Sequence, residues 1–278
     1  MRKRYSFSSR RTGQARDPKN IRKQKQKFPI VVQKVLNKSD IILQILDARF
    51  IKDTRNLELE TNLKELDKIV INVMNKSDLI TKNQIKDLPK EYILVSCKER
   101  RGVGKLRDQI KRYASKIKKP LDKQGKITVG IIGYPNTGKS SLINLLIGKK
   151  SAKTGAEAGF TKGLQKLKLT TKIMLLDSPG VIPKKEYTSI ENTKLAKHAQ
   201  VGARTYSQVK DPETIIFEMM KAFPNTIQKH YKIKTQSSEH LLEKLGRQKN
   251  LLKKGNQVNF DKTARLILKD WQDGKIKL

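Results

Sequence analysis

The segment GYPNTGKSS, residues 133–141, carries the chain's clearest chemical pattern. Gly133, Gly138, Lys139 and Ser140 fit G-x-x-x-x-G-K-[ST], between an apolar run and a helix-like LINLLIG. The glycines let the backbone curl so that successive N–H groups and a helix N-terminus surround a phosphate. Lys139 would reach the β- and γ-phosphates of a nucleotide, and the Ser140 hydroxyl would bind Mg²⁺. The loop residues expected to contact the nucleotide are Asn136, Thr137, Gly138, Lys139, Ser140 and Ser141.

An earlier quartet, Asn75-Lys76-Ser77-Asp78, follows a strand-like apolar run and matches the guanine-reading motif of GTPases. An ionised Asp78 can accept hydrogen bonds from both the ring N–H and the exocyclic amine of guanine, a donor pair that adenine does not present. Asn75 would tie this loop to the phosphate loop, and the stem of Lys76 would lie along the base. The quartet alone is a weak signal, but together with a phosphate loop it predicts a guanine nucleotide.

A second base-side segment is Ser96-Cys97-Lys98. It resembles the serine, alanine, lysine support of the guanine ring, with Cys97 standing where alanine is usual, and its backbone N–H would meet the guanine carbonyl. A nucleophilic Cys97 is the weaker interpretation, because no histidine lies nearby in sequence to activate the thiol.

Asp177-Ser178-Pro179-Gly180 resembles the DxxG motif. Asp177 would hold Mg²⁺ through water, and the Gly180 N–H would meet the γ-phosphate. Thr161, in the passage GFTKG, is the candidate switch threonine that would coordinate Mg²⁺ and sense the γ-phosphate.

The two base-side motifs come before the phosphate loop, whereas in ordinary GTPases they come after DxxG. In this order the chain resembles the circularly permuted GTPases. Joining the ends of a closed α/β core and cutting it in a surface loop preserves the packing, so a permuted chain can keep the same site.

Within that group the chain is most similar to the YlqF/RbgA type. The matching passages are KFP at 27–29, DAR at 47–49 and the tail LLKKGNQVNFDKTARLILKDWQDGKI at 251–276. The resemblance implies GTP and GDP as ligands, hydrolysis of GTP, and a role in maturing the large ribosomal subunit, with the tail touching rRNA.

One departure concerns catalysis. Ras-like enzymes use a glutamine just after DxxG to orient the attacking water, but here Val181 and Ile182 follow Gly180 and cannot hold a water. We therefore expect slow intrinsic hydrolysis. Bacterial relatives carry a histidine shortly after their Phe-Pro; this chain reads FPIVVQK there, so that role cannot be transferred and the water-orienting group stays open.

Other catalytic candidates are few. Asn136 matches the position that binds K⁺ in cation-dependent members of the wider class, and an ion there would offset charge between the β- and γ-phosphates. The alternative is that Asn136 only stabilises its loop by hydrogen bonds, and the sequence favours neither. His198, His230 and His240 all lie in the tail and are better explained as surface or packing residues than as a catalytic base.

The elements that must position these residues alternate between strand and helix. This alternation predicts an α/β fold, a circularly permuted P-loop GTPase domain with a mostly parallel, doubly wound sheet, followed by a small all-helical domain. The predicted strands are IILQIL, 68–74, YILVS, ITVGII, 164–169 and 172–176. The predicted helices are 30–36, 57–66, 103–117, one ending at 147, 190–199, 212–222, 241–245 and 261–271, with a short one near Gln84.

The domain boundaries follow composition. Residues 1–27 hold eleven Lys/Arg against a single acid, Asp17, and too few apolar residues to fold alone, so we expect a basic flexible arm. The GTPase domain is expected at 28–185 and a helical RNA-binding domain at 186–278.

Charge and composition point to a polyanionic partner. The 278 residues include 62 Lys/Arg against 26 Asp/Glu, a net charge of +36, and such a field attracts RNA or DNA. The longest apolar runs are too short to cross a bilayer and no secretory signal is evident, so we expect a cytoplasmic monomer without a membrane partner. The single cysteine fits a reducing compartment.

Two other functions stay compatible with the sequence. One is an RNA-binding scaffold with structural nucleotide and negligible turnover, which Val181 makes credible; the other is a GTPase in another RNA pathway, such as tRNA modification. A metalloenzyme or an acyl-transfer enzyme has no support, because there is no ligand-spaced His/Cys set and no nucleophile-base pair.

Overall fold

The structure is a computed structural model. It describes residues 30–81, 84–85, 91–118, 123–148, 164–178, 180, 200–202, 206–207 and 209–277. The basic arm, the predicted helix at 190–199 and most of the short helix near Gln84 lie outside these residues.

A six-stranded sheet organises the described part of the first domain. Its strands are β1 (Ile41–Asp47), β2 (Ile69–Asn75), β3 (Tyr92–Leu94), β4 (Ile127–Gly133), β5 (Gln165–Lys168) and β6 (Ile173–Asp177). The spatial order is β3-β2-β1-β4-β6-β5, with every neighbouring pair parallel except the β5–β6 hairpin. The predicted parallel-dominated sheet is confirmed, and both central strands are buried along their whole length because they are continuous apolar runs.

Helices cover both faces of the sheet. The described helices of this domain are α1 (30–38), α2 (Ile51–Thr54), α3 (Leu57–Glu65), α4 (Val103–Ala114) and α5 (Lys139–Ile147). One face packs apolar residues of α4 and α5 against alternate strand residues such as Leu43 and Ile131, while the other packs α1 and α3 against Ile42 and Ile132. This arrangement is the doubly wound architecture expected from the sequence.

Gly130, in the middle of β4, lets α1 lie close on the sheet. A Cβ at this position would stand 2.4 Å from the Ser39 hydroxyl and 2.8 Å from a Val35 methyl. A larger residue would therefore push α1 away from the central strand.

The tail is helical, as predicted. Its described helices are α6 (Pro212–Ala222), α7 (Thr226–Tyr231), α8 (Ser238–Gln248) and α9 (Phe260–Gln272). The bounds of α6 match the prediction, whereas α8 is longer than predicted because Ser237 caps its N-terminus by accepting from the His240 amide. The short helices α2 and α7 were not predicted, since four and six residues are too few to show a helical period.

The tail's apolar core also holds two residues from the first domain. Phe50, just after β1, and Tyr134, in the phosphate loop, are buried among residues of α6, α8 and α9. The helical part is thus packed directly against both sides of the predicted site. The boundary at 185–186 stays a prediction, because residues 181–199 lie outside the described part.

Candidate nucleotide-binding site

Four strand ends bring the predicted motifs to one edge of the sheet. Asp47 at the end of β1 lies opposite Asn75 at the end of β2, and Gly133 at the end of β4 lies opposite Ile45. On the other side of β4, Asp177 lies opposite Ile131. In an open parallel sheet this edge, outside the carboxyl ends of the strands, is where ligands bind.

The phosphate loop runs from β4 into α5, and Gly138 is the N-cap of that helix. Its backbone is left-handed, with φ of 94°, and a Cβ here would stand 2.1 Å from the Asn75 side-chain nitrogen. Both the conformation and the close approach require glycine. The first amide groups of α5 therefore face the site without a side chain in the way.

Lys139 is buried and folded back over its own loop. Its Nζ donates to the backbone carbonyls of Gly133 at 3.2 Å and Tyr134 at 2.7 Å. Burial lowers the pKa of Lys139, and the nearby Asp177 charge only partly offsets this effect. A phosphate anion at the loop would favour the charged ammonium.

Asn75 joins the two predicted halves of the site. Its Nδ2 donates to the Thr137 carbonyl of the phosphate loop at 2.7 Å, and its Oδ1 accepts from the Cys97 amide at 3.2 Å. Asn75 is 1% exposed, so these bonds form away from competing water. The three motifs meet at this one side chain, 62 residues from Thr137 along the chain.

Asp78 is held by Ser96, its predicted neighbour in the site. The Ser96 hydroxyl donates to Asp78 Oδ1 at 2.6 Å and accepts from the Glu99 amide at 3.0 Å. Ser96 is fully buried. This bond holds one oxygen of the Asp78 carboxylate in place, and base reading by Asp78 stays a prediction.

Both carboxylate oxygens of Asp177 are buried, and no donor among the described residues meets them with good hydrogen-bond geometry. Burial raises the pKa of Asp177, and the Lys139 charge, the Ser178 amide and the Ser140 hydroxyl oppose that shift without cancelling it. Gly180 lies against the phosphate loop, since a Cβ on it would stand 2.7 Å from the Pro135 Cα and 3.0 Å from Lys139 Nζ. The DxxG segment therefore lies on the phosphate loop, as its motif predicts.

Comparisons with known proteins agree with this arrangement. Residues 128–252 match a family model described as 50S ribosome-binding GTPase. An uncharacterized GTP-binding protein of Methanocaldococcus jannaschii is 38% identical over 261 residues, covering 90% of this chain and 66% of the relative. The Arabidopsis thaliana nuclear/nucleolar GTPase 2 is 36% identical over 255 residues, covering 87% of this chain and 42% of the relative.

Solved structures share the fold. The crystal structure of GNP-bound YlqF from T. maritima superposes with a TM-score of 0.63 at 23% identity, covering 90% of this chain and 94% of that one. The GDP-bound structure of the same protein gives a TM-score of 0.61. The chain thus has the circularly permuted GTPase fold of YlqF and is similar in sequence to GTP-binding proteins, of whose length it spans two thirds or less.

An ion-pair cluster supports the loop at residues 75–78, which is predicted to read guanine and is called the guanine loop below. Asp47, fully buried, pairs with Lys76 Nζ at 2.8 Å and with Arg49 Nη2 at 2.9 Å. Burial alone would raise the pKa of Asp47, but the charges of Lys76 and Arg49 and their hydrogen bonds outweigh it and hold the pKa below its usual value. The ammonium group of Lys76 is thus fixed by Asp47. Contact between the aliphatic part of the Lys76 side chain and a base stays a prediction.

Cys97 is a structural residue here. Burial raises the pKa of its thiol to about 12, and the Asp78 charge adds to the shift. The thiol therefore stays protonated near neutral pH, against a nucleophilic role. Its backbone amide already donates to Asn75, so a guanine carbonyl would compete for that donor; the predicted amide contact stays a prediction.

Asn136 has a left-handed backbone, with φ of 58°, and its Nδ2 donates to the Gly202 carbonyl at 2.6 Å. This bond links the phosphate loop to the tail and agrees with a structural role, while K⁺ binding stays a prediction.

Thr161 and Val181 lie outside the described residues. In the described part, no cluster of three or more His, Cys, Asp or Glu side chains could hold a metal, and no helix could span a membrane.

Sequence reasoning missed the contribution of Asp47, Arg49 and Tyr134. The DAR passage was used only as evidence of the family resemblance. Tyr134 occupies a position of the phosphate-loop motif that accepts any residue, so no role was predicted for it. A signal was present for Asp47: an acidic residue that ends a fully buried strand needs a charged partner. Arg49 stands only two positions along the chain from Asp47, whereas Lys76 becomes its partner through the tertiary fold.

Proposed function

We propose that this chain binds GTP and GDP, hydrolyses GTP with Mg²⁺, and assists assembly of the large ribosomal subunit by binding rRNA. The observation that carries the nucleotide proposal is the 2.7 Å bond from Asn75 to the Thr137 carbonyl. Because it joins the base-reading loop to the phosphate loop, one nucleotide can contact both. The Ser96 bond to Asp78 supports guanine as the base.

Magnesium fits the phosphate side. The two buried Asp177 oxygens are hard ligands of the kind that Mg²⁺ prefers, and Ser140, in the first turn of α5, has its hydroxyl beside them. When bound, the ion would neutralise charge on the β- and γ-phosphates. Ser140, Asp177 and, by the motif, Thr161 would hold it directly or through water.

The protein's own groups supply the remaining chemistry. Lys139 would leave the carbonyls of Gly133 and Tyr134 to donate to phosphate oxygens, and the Gly180 amide would meet the γ-phosphate. Val181 stands where Ras-like enzymes have glutamine, so slow intrinsic turnover and stimulation by the ribosomal partner belong to the proposal. A K⁺ ion at Asn136 is its least supported part.

The rRNA proposal rests on charge in the tail. The exposed Lys and Arg residues around α7, α8 and the turn into α9 are Lys229, Lys232, Lys234, Lys244, Arg247, Lys249, Lys253 and Lys254. A pocket of about 500 Å³ beside α7 is lined by the first three of these and by Gln228. Neutralising phosphates with such residues would make binding steeply salt-dependent. We extend the proposal to a cytoplasmic monomer.

Calorimetry with GDP, ADP and XDP tests the nucleotide assignment on wild type and Asp78→Asn. Wild type should bind GDP at least about 100-fold more tightly than ADP. Asp78→Asn should lose GDP and gain XDP, because xanthine carries a carbonyl where guanine carries the amine and the Asn amide can donate to it. Equal GDP and ADP affinity, or no effect of the substitution, would contradict guanine reading.

Sedimentation with large ribosomal subunits, in GTP-analogue and GDP states at one fixed salt concentration, tests the partner. We expect co-sedimentation that depends on the nucleotide, and GTP turnover that rises when particles are added. Particles that neither bind nor stimulate would reject the ribosomal role. Turnover near background with and without K⁺ and rRNA would instead favour the RNA-binding scaffold, which Val181 makes the second candidate.

A further inference from the structure

Trp271, the chain's only tryptophan, lies where three parts of the molecule meet. It is near the end of α9 and has no exposed surface. Its backbone carbonyl accepts from Arg49 Nη1 at 3.1 Å, and its indole Nε1 donates to the Gln200 carbonyl at 3.0 Å. Its ring stacks on Phe50, with 6.1 Å between the ring centroids.

The first contact leads to the guanine loop. Arg49, whose side chain is 2% exposed, donates to both carboxylate oxygens of Asp47 as well as to Trp271. Asp47 in turn pairs with Lys76 of the guanine loop. Gly274, just past α9, also packs against Leu79 beside the guanine loop, since a Cβ on Gly274 would stand 2.5 Å from a Leu79 methyl.

The indole bond from Trp271 to the Gln200 carbonyl leads to the phosphate loop. Two residues after Gln200, the Gly202 carbonyl accepts from the Asn136 side chain at 2.6 Å. Tyr134 of the same loop is buried in the apolar cluster that contains Trp271. The end of α9 is therefore connected to the base side through Arg49 and to the phosphate side through Gln200 and Gly202.

We propose that Arg49 and Trp271 are positioning residues of the nucleotide site, and that the C-terminal turn of α9 is a structural part of that site. Arg49 orients the guanine loop through Asp47 and Lys76, and the Trp271 indole orients the phosphate loop through segment 200–202. The inference rests on the proposed guanine-nucleotide binding. By linkage, a ligand of the helical tail that displaces α9 changes nucleotide affinity, and nucleotide changes the tail's affinity for that ligand by the same factor.

Two substitutions separate the two connections. Arg49→Gln removes the guanidinium charge that pairs with Asp47, together with the bond to the Trp271 carbonyl. Trp271→Phe keeps an aromatic ring and the backbone carbonyl but removes the indole donor. Arg55→Gln is the control, because Arg55 also pairs with an acidic residue, Glu60, but is 39% exposed and contacts neither nucleotide loop.

Calorimetry on the full chain measures GDP, IDP and a GTP analogue. Inosine lacks the exocyclic amine, so the GDP/IDP affinity ratio reports how well Asp78 is placed. Arg49→Gln should weaken GDP about 10-fold and shrink the GDP/IDP ratio at least about 3-fold. Trp271→Phe should preserve that ratio and change the GTP-analogue/GDP ratio instead. Arg55→Gln should change neither.

The affinities of the variants are compared on folded protein, and their unfolding is measured separately. A residue that only stabilises the fold would leave both the GDP/IDP ratio and the GTP-analogue/GDP ratio unchanged. Arg49→Lys, which keeps the charge beside Asp47, should recover most of the GDP/IDP ratio. Folded Arg49→Gln and Trp271→Phe proteins with wild-type ratios would overturn the proposal. Failure of wild type to bind guanine nucleotide would reject the proposed function instead.

Hydrogen exchange on the wild-type chain tests the inference without any substitution. Saturating GDP should slow amide exchange in the last turn of α9 and residues 273–276 more than in α8, which shares the apolar cluster with Tyr134 but makes no described hydrogen bond or ion pair to either nucleotide loop. Equal protection of α8 and the end of α9, with GDP binding verified in the same sample, would overturn the proposal.

Discussion

The base side and the phosphate side of the site differ in how their charged groups are satisfied. On the base side, Asp47 has two cationic partners and Asp78 accepts from Ser96. On the phosphate side, Asp177 is buried without a well-placed hydrogen-bond donor among the described residues, and Lys139, its nearby cation, donates to backbone carbonyls of its own loop. The charged groups of the base side are therefore paired within the protein, whereas the described residues pair those of the phosphate side only partly.

Under the proposed function, this difference assigns separate tasks to the two halves. A base-reading loop that is held by the protein's own contacts would lose little conformational entropy on binding and would give specificity. A phosphate side whose carboxylate is only partly compensated would gain most from Mg²⁺ and phosphate. We therefore expect the bound nucleotide to change the free energy of the phosphate side more than that of the base side.

Replacing a buried aspartate by asparagine should have opposite effects on the two sides. Asp47→Asn leaves Lys76 and Arg49 without their counter-charge and should lower the free energy of unfolding by about 3 kcal/mol. Asp177→Asn removes a buried charge that Lys139 and its neighbours compensate only partly, and should raise the free energy of unfolding by about 1 kcal/mol without nucleotide, while weakening Mg²⁺-dependent GTP binding. Denaturant unfolding of nucleotide-free protein measures both; effects of equal sign would remove the distinction between the sides.

The junction between the sides should depend on the absence of a side chain at position 138. In Gly138→Ala the new Cβ would displace Asn75 from the Thr137 carbonyl, and we expect a loss of about 30-fold in GDP affinity. Gly148→Ala is the matched control, because Gly148 caps the other end of α5 with φ of 75° but has no atom within 4 Å of a Cβ. It shares the backbone strain without the clash. Equal losses in calorimetry would show that strain, and not the Asn75 contact, determines the effect.

The two aspartates should also differ in pH dependence. A carboxyl whose folded pKa is raised stabilises the fold at low pH, and this contribution is lost as pH rises through the folded pKa. Between pH 5 and pH 7, wild type should therefore lose about 1 kcal/mol relative to Asp177→Asn. The pKa of Asp47 is held below its usual range, so its contribution disappears only in stronger acid, and the difference between wild type and Asp47→Asn should stay constant across this interval. A constant difference for Asp177→Asn would contradict its raised pKa.

Much of the layout of the site could be predicted from the sequence, for a physical reason. Asn75, Asp78, Lys139 and Asp177 occupy motifs whose residue types are set by the nucleotide itself, and the apolar strands before them predict their place at the sheet edge. Each of these inferences depended on local sequence and one topological rule.

The contacts that the sequence did not predict join residues far apart in the chain. Arg49 meets Trp271 across 222 positions, and Asn136 meets Gly202 across 66. Neither pair has a local period or motif, since both depend on how the helical tail packs against the sheet. The start of α8 and the whole of α7 were not predicted, for a related reason: capping and tertiary packing define them more than amphipathic spacing does.

The smallest expected effect is at Cys97. Its thiol is half-buried and protonated at neutral pH, and the proposed contribution of this residue comes from the backbone. Cys97→Ala should therefore change GDP affinity by less than about 2-fold in the same titration. A larger loss would show that the side chain itself supports the base.

We propose that the guanine loop and the phosphate loop, though reversed in chain order, hold one nucleotide. A crystal structure with Mg²⁺ and a non-hydrolysable GTP analogue is the test. We expect a single molecule whose base ring meets Asp78 and whose phosphates meet Lys139, with Mg²⁺ beside Asp177. A structure in which Asp78 and Lys139 face separate clefts, or in which the base leaves Asp78 unoccupied, would contradict it.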